Sequence, residues 1–338
     1  MRIAWVLEDL GVAGGVRVVV ELAEAFAGRG HDVLLVTRGD PGWIRTRVPV
    51  LRVDAFDRGT LPEADVHVAT FYTTVEPTVR AARARLVVHF CQGYEAPHPH
   101  LAAELPRIVA AYRLPVPKVV VSAHLVPLLE PLYPGPYFVV PQTIRAESFA
   151  PPDPDRAAPR DPPTVGVVGP FEAVMKGIRH ALLGVARLRR EGRDVRLHRA
   201  SQLPLSTQER GLCAPDAYGL GIPAEEMPAW YAGLDVLVHP SFPAEGFPLP
   251  PLEAMASGVP VVLTDIPSFA PLPADAATRV PPGDPEAVAT AVAALLDDHE
   301  LWAGRRRRGL ELARAFSVGR AVDTMEEAFQ KMSWSAKR

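Results

Sequence analysis

Residues Asp235–Ile266 read DVLVHPSFPAEGFPLPPLEAMASGVPVVLTDI. Val236–Val238 is a short, wholly apolar run with two β-branched valines, the composition of a strand covered on both faces. Pro240, Pro243, Gly246 and Pro248 then impose a loop, because proline removes a donor and glycine accepts backbone shapes other residues avoid. Helical spacing returns over Leu249–Ser257, Gly258 stops it, and Val259–Leu263 is a second apolar strand. Strand, helix and strand at this spacing form a parallel crossover unit, so the expected class is α/β with parallel sheets.

The same alternation extends in both directions. Ile3–Leu7 reads as a strand, Gly11–Gly15 as a glycine-rich turn, and Val16, Val19, Leu22, Ala23 and Phe26 recur at helical spacing. Further strands are expected at Asp32–Thr37, Val66–Phe71, Leu86–Phe90, Val119–Ser122 and Phe138–Val140. Beyond Phe149 the chain becomes FAPPDPDRAAPRDPP as far as Pro163, a composition that precludes helix and favours an extended connector. A second series then begins with a strand at Val165–Val168, a helix over about Lys176–Arg190 and a strand at Val195–His198. It closes with a helix pair over about Pro285–Ala315 and a last amphipathic helix near Val322–Met332. The expected organisation is therefore an N-terminal Rossmann-like domain over 1–148, a linker over 149–163 and a second domain over 164–316. Residues 317–338 are expected to pack back on the first domain. Two such domains facing across a cleft would give one donor edge and one acceptor edge, since open parallel sheets bind ligands beyond their carboxyl ends.

Composition narrows the function. The 338 residues carry a formal net charge of −3 with 22% charged residues, so nucleic acid is not an expected partner. Cys91 and Cys213 lie far apart without ligand spacing, which argues against a disulfide framework or zinc. The apolar run at the start is broken by Glu8 and Asp9, too short for a secretory signal or a span of roughly 20 apolar residues. A cytoplasmic location is the expectation, with peripheral contact at the inner membrane face left open by the basic groups Arg305–Arg308 and Arg187–Arg196. A solvated helix face is the plainer reading of both groups.

Three segments carry chemistry. In the quoted stretch, Glu245 stands in the loop and Glu253 on the helix, with seven residues between them. Carboxylates there accept hydrogen bonds from sugar and ribose hydroxyls. Gly246 allows close backbone approach, and the helix start near Pro248–Leu249 offers unpaired N–H groups to a diphosphate. Lys176, after the strand Val165–Val168 in GPFEAVMKG, is set to neutralise charge developing on a leaving phosphate. The third segment is HFCQGYE, His89–Glu95, whose Gln92, Tyr94 and Glu95 are candidate acceptor-side residues. His89 reads as a satisfied core histidine and Cys91 as an apolar filler.

Together these residues resemble the retaining glycosyltransferases of family 4, through the Glu-x7-Glu spacing, the strand–loop–Lys–Gly segment, DVLVHPS and EAMASGVPVV. The glycine turn followed by VVVELAEAFAGRGHDV looks like that family's opening. The resemblance implies the glycosyltransferase-B (GT-B) fold and transfer of a hexosyl unit, with retention, from a nucleotide-diphosphate sugar (UDP, GDP or dTDP) to a sugar, lipid or small-molecule hydroxyl. It implies front-side attack in which the leaving phosphate takes the acceptor proton. By the same resemblance Glu245, with the amides of Gly246 and Phe247, contacts the transferred sugar, Glu253 holds the ribose and Lys176 binds the diphosphate. The segment Tyr218, Gly219 and Leu220 holds the base, and Gly14 and Gly15 approach the phosphates. Pro170 departs from the pattern, which has an arginine six residues before the lysine. Its loss removes a charge-assisted contact worth ~1.5–3 kcal/mol unless another group substitutes, and Arg199 is the candidate. The Gln-x-Tyr-Glu segment faintly favours a deoxysugar, rhamnose-type donor. No cofactor or metal is expected. The alternatives are a nucleotide-sugar 2-epimerase of the same fold and a catalytically weak sugar-nucleotide-binding subunit. A nicotinamide dehydrogenase fits poorly, since GVAGG lacks GxGxxG spacing.

Overall fold

The computed structural model describes residues 1–11, 14–40, 45–243 and 246–335, which form two compact units. Unit 1 comprises Met1–Thr143 with Val318–Arg338, and unit 2 comprises Ile144–Ser317.

In unit 1 the chain runs β1 (Arg2–Leu7), α1 (Gly14–Gly28), β2 (Asp32–Thr37), β3 (Val50–Arg52), β4 (Ala64–Ala69) and α2 (Tyr72–Ala81). β5 (Ala84–Cys91), α3 (Leu105–Arg113), β6 (Lys118–Val120), α4 (Leu125–Leu129) and β7 (Tyr137–Val139) follow. These strands form one parallel sheet in the order β3-β2-β1-β4-β5-β6-β7. Its central strands are buried on both faces and mostly apolar, with His67 and His89 as buried polar exceptions. Trp5 meets Phe90 edge-on with ring centroids 5.7 Å apart.

Unit 2 repeats the plan. Its elements are β8 (Thr164–Val168), α5 (Ile178–Arg190), β9 (Arg196–Ser201), α6 (Thr207–Leu212), β10 (Ala217–Leu220), α7 (Met227–Ala232) and β11 (Val236–His239). Then come α8 (Pro250–Ala256), β12 (Val261–Thr264), β13 (Thr278–Val280), α9 (Pro285–Asp297) and α10 (His299–Ala315). The sheet order is β10-β9-β8-β11-β12-β13, again parallel. Val165, Val167, Val236 and Val238 form its core with Leu182, Val185, Val288 and Val292.

Strand order reverses between β1 and β4 in the first sheet and between β8 and β11 in the second. At such switch points the loops beyond two neighbouring strands diverge to opposite faces and leave a crevice at their carboxyl ends.

The last helix, α11 (Val318–Ser335), belongs to unit 1. Phe329 stacks on Phe26 of α1 at 6.0 Å, and Glu326 accepts from His31 Nε2 at 2.8 Å and pairs with Arg29 at 3.1 Å. Val322, Met325 and Phe329 are fully buried, each stabilising the docking by ~1.5–3 kcal/mol.

The proline-rich stretch corrects the expected boundary. It is part of unit 2, not a linker over 149–163, because it is tied to that unit's interior. Buried Asp235 ion-pairs with Arg156 and accepts from the backbone of Arg160 at 2.9 Å and Thr164 at 2.6 Å. Arg306 donates to the carbonyls of Asp153 at 2.5 Å and Pro154 at 2.8 Å. Prolines forbid helix but leave their carbonyls free to accept, and Arg306 exploits that at Pro154.

Candidate functional site

β8 and β11 are neighbours at the switch point of unit 2, so the loops after them emerge side by side. The first carries Lys176 at the end of a one-turn 3-10 segment, Val174–Lys176. Gly177 follows with φ of +64°, and a Cβ there would lie 2.0 Å from the Pro240 carbonyl oxygen. Only glycine permits that approach. Met175 accepts a hydrogen bond from the Phe242 amide at 2.8 Å. Both neighbours of Lys176 in the chain thus fix it against the β11 loop. Its charge adds to burial in holding His239, at the end of β11, well below the usual histidine range. Burial is the larger cause. His239 Nε2 lies 3.0 Å from Ser241 Oγ, and Thr264 Oγ1 donates to the Ser241 carbonyl. The β11 loop is therefore anchored from below by neutral groups.

Glu245 lies outside the described residues. Beyond it, Gly246 is half-buried, while Phe247, Pro248 and Leu249 are buried, and Phe247 stacks on Phe316 at 5.6 Å. Glu253 is 3% exposed and accepts from the Tyr231 hydroxyl at 2.7 Å. Tyr231, from α7, is a partner of Glu253 that sequence spacing did not reveal: a single buried tyrosine has no pattern of its own. The start of α8 corrects another expectation. Pro250 and Pro251 occupy its first two positions and have no N–H, and the Glu253 amide is already bonded to Leu249. The helix end offers a diphosphate fewer donors than an ordinary helix would.

Arg199 is a further correction. It is fully buried, and its guanidinium is engaged by Glu209 Oε1 at 2.6 Å and by the carbonyls of Val167 at 2.5 Å and Gly169 at 2.9 Å. A side chain enclosed in this way does not contact a donor phosphate in place of the arginine missing at Pro170. Tyr218, Gly219 and Leu220 fall on β10, the edge strand, whose outer backbone groups have no strand partner among the described residues. Tyr218 donates its hydroxyl to the Leu203 carbonyl at 2.6 Å, and Leu220 is exposed.

In unit 1, Gly14 and Gly15 open α1, and Gln92, just past β5, reaches Gly15. Gln92 Nε2 donates to the Gly15 carbonyl at 2.9 Å, and a Cβ at Gly15 would stand 3.0 Å from that nitrogen. The bond fixes the amide's orientation, leaving Gln92 Oε1 without a partner among the described residues. Tyr94 and Glu95 join an aromatic cluster. The Tyr112 hydroxyl serves both Glu95 Oε2 at 2.7 Å and the Gly93 carbonyl at 2.9 Å, and the Tyr94 and Tyr133 hydroxyls meet. Burial pushes the Glu95 carboxyl above its usual range, opposed by the Tyr112 bond. His89 is buried, as expected of a core residue, yet neither ring nitrogen has a partner among the described residues. Burial, helped by the charge of Lys118, lowers it to about 3.

Four of the nine arginines in these groups pair with carboxylates among the described residues: Arg187 with Glu191 and Glu286, Arg189 with Asp216, Arg193 with Asp297, and Arg308 with Asp275 and Glu311. Arg306 is 6% exposed, so it is no part of a solvated face. Asp153-Pro154-Asp155 has Asp-x-Asp spacing. Its Asp153 carboxylate accepts from the Asp155 amide at 3.1 Å. No described helix is long and apolar enough to cross a membrane.

Residues 162–298 match the family model described as "Glycosyl transferases group 1". A stretch of 96 residues is 38% identical to O-antigen chain mannosyltransferase B of Escherichia coli, covering 28% of this chain and 25% of that protein. The chain spans between a quarter and about two-fifths of the length of three curated mannosyltransferases that it matches. Sucrose-phosphate synthase from Thermosynechococcus elongatus superposes with a TM-score of 0.82 over 99% of each chain, at 20% identity. Anabaena HepE, solved in complex with UDP-glucose, superposes with a TM-score of 0.77 over 98% of this chain and 100% of its own, at 15% identity. Residues 162–298 thus match a group 1 glycosyltransferase domain, in a chain of two parallel-sheet units with the GT-B fold.

Proposed function

We propose that the chain transfers a hexosyl residue from a nucleoside-diphosphate sugar to a hydroxyl acceptor, with the donor held by unit 2. One observation carries the reading. Gly177 against the Pro240 carbonyl, and Met175 bonded to Phe242, lock the lysine-bearing loop to the loop that leads to Glu245 and Glu253. A cation and the Glu253 carboxylate on loops and helices at a switch-point crevice suit a ligand with a diphosphate beside a ribose diol. The named activities of the relatives support a hexosyl group, and the UDP-glucose bound by HepE supports a nucleotide sugar.

In this reading Lys176 neutralises charge as the diphosphate leaves, Glu253, oriented by Tyr231, accepts from a ribose hydroxyl, and Glu245 accepts from the sugar. The leaving phosphate takes the acceptor proton, the sugar keeps its anomeric configuration, and no metal takes part. Gln92, Tyr94 and Glu95 serve the acceptor from unit 1, where the unpartnered Gln92 Oε1 is a ready acceptor for a sugar hydroxyl.

The test is a thermal-shift screen with UDP-glucose, GDP-mannose and dTDP-rhamnose, followed by measured release of the nucleoside diphosphate. A ligand at 100 times its Kd raises stability by about 2.7 kcal/mol, so the true donor stands apart. Lys176→Ala is expected to lower turnover about 10²–10³-fold, as loss of one preorganised charge-stabilising donor does, while the melting curve keeps its shape. Full turnover in that variant contradicts the proposal. Release of free sugar without any acceptor would point to the epimerase-type alternative.

A further inference from the structure

Arg199 and Glu209 form a fully buried ion pair beneath the β8–α5 loop, with Nε to Oε1 at 2.6 Å. Glu209 is itself held: α6 is capped by Ser206, whose hydroxyl accepts from the Glu209 amide at 3.1 Å. The remaining guanidinium donors go to the loop's root. Nη1 reaches the Val167 carbonyl at 2.5 Å, and Nη2 reaches the Gly169 carbonyl at 2.9 Å. Gly169 sits at φ of +119°, a backbone conformation open to glycine, and its amide is bonded to the Ala200 carbonyl at 2.9 Å. Seven residues later the loop ends in Lys176, whose Cγ and Cδ lie 3.8 Å from a Cβ built on Gly169. The lysine stem therefore runs directly over the glycine that Arg199 holds.

The pair as a whole is neutral, so it adds little field at the crevice. What it supplies is geometry. A rigid guanidinium fork fixes two main-chain carbonyls two residues apart, at the end of β8 and just past it, and a planar five-donor group does this where lysine or glutamine would not. Burying such a pair is costly in desolvation, and a hydrophobic pair of similar size would often stabilise the fold as well or better. Retaining an ion pair at this point suits a demand for position.

We infer that the Arg199–Glu209 pair is a positioning device for Lys176: it fixes Gly169 and with it the loop that presents the ammonium to the donor diphosphate. This rests on the proposed role of Lys176. It also explains how a loop beginning Gly169-Pro170 keeps its lysine in register.

The experiment measures affinities of UDP, GDP, UMP and GMP by titration calorimetry for wild type, Arg199→Met, Glu209→Gln, Lys176→Ala and the doubles with Lys176→Ala. Arg199→Met and Glu209→Gln are each expected to weaken the diphosphate about tenfold and the monophosphate less than twofold, since only the former spans to the lysine. In the Lys176→Ala background either substitution is expected to add less than threefold, because the group being positioned is gone. A purely structural role would weaken mono- and diphosphate alike, and its effect would multiply with that of Lys176→Ala. Either result overturns the inference. Glu209→Gln keeps side-chain size and an acceptor for Arg199, so it decides the matter if Arg199→Met fails to melt cooperatively. Wild type that binds neither UDP nor GDP overturns the donor reading together with this one, whereas tight wild-type binding with unaltered variants overturns this one alone.

Discussion

Tyr231 and Glu253 show how one hydroxyl governs a buried carboxylate. Glu253 is 3% exposed, and the tyrosine donates to it at 2.7 Å from a neighbouring helix. A hydrogen bond to a charged group contributes ~1.5–3 kcal/mol, and removing the donor leaves the carboxylate less well solvated. Tyr231→Phe keeps the ring and its edge-on contact with Phe149, so its effect isolates the hydroxyl. The expected loss of unfolding free energy is about 1–3 kcal/mol by urea titration, together with weaker nucleotide-sugar binding as Glu253 loses its orientation. Unchanged stability and affinity would mean that other partners of Glu253 suffice. At this scale the sequence places Lys176 and Glu253 on their elements, because a strand–loop–helix pattern locates both. It was read poorly for Arg199. A basic residue after a strand looks the same whether it faces a ligand or a buried carboxylate, and Glu209 lies on a six-residue helix with almost no periodicity to announce it.

Among the elements, the two loops at the switch point depend on Gly177. Its φ of +64° costs a residue with a Cβ ~1–2 kcal/mol, and the added carbon would overlap the Pro240 carbonyl oxygen at 2.0 Å. Gly177→Ala is therefore expected to destabilise unit 2 by at least ~1–2 kcal/mol. It is also expected to reduce nucleotide-sugar turnover more than Lys176→Arg does, since it displaces the loop and not only the charge. Denaturant melts and steady-state rates for both variants measure this, and a Gly177→Ala enzyme with wild-type rates contradicts it. The long central strands and amphipathic helices were legible because burial on one or both faces writes a period into the sequence. β3, β10 and β13 have only three or four residues each, too few for a period, and they form because a neighbouring strand offers them a ladder. The proline-rich stretch misled for a related reason. Composition excludes helix there, but nothing local says that Arg156 meets Asp235 or that Arg306 meets the Asp153 carbonyl, contacts that link residues far apart in sequence.

Across the whole molecule, both units bury histidines in the neutral state. Burial lowers His67, His89 and His124 in unit 1, and His198 and His239 in unit 2. In each case the unfolded chain binds a proton more readily than the native one. The stability tied to neutrality is therefore complete above the unfolded value of 6.5 and is lost as pH falls below it. For His89 the loss continues down to about 3. Glu95 works in the opposite sense: its carboxyl is raised by burial, so the native state loses stability as pH rises above the ordinary value of 4.5, which partly offsets the histidines in acid. The melting temperature is thus expected to be nearly level from pH 8 to 7 and to fall steadily from 6.5 towards 5. His89 supplies the sharpest test, because its imidazole has no hydrogen-bond partner to lose among the described residues. At pH 5 its share is about 2 kcal/mol, at ~1.4 kcal/mol for each pH unit below 6.5. His89→Leu should therefore be more stabilising at pH 5 than at pH 8 by that amount, measured by urea unfolding at the two values. An identical effect at both would mean that the imidazole reaches water or a carboxylate, and that the core of unit 1 around Tyr112 is more open than its packing implies.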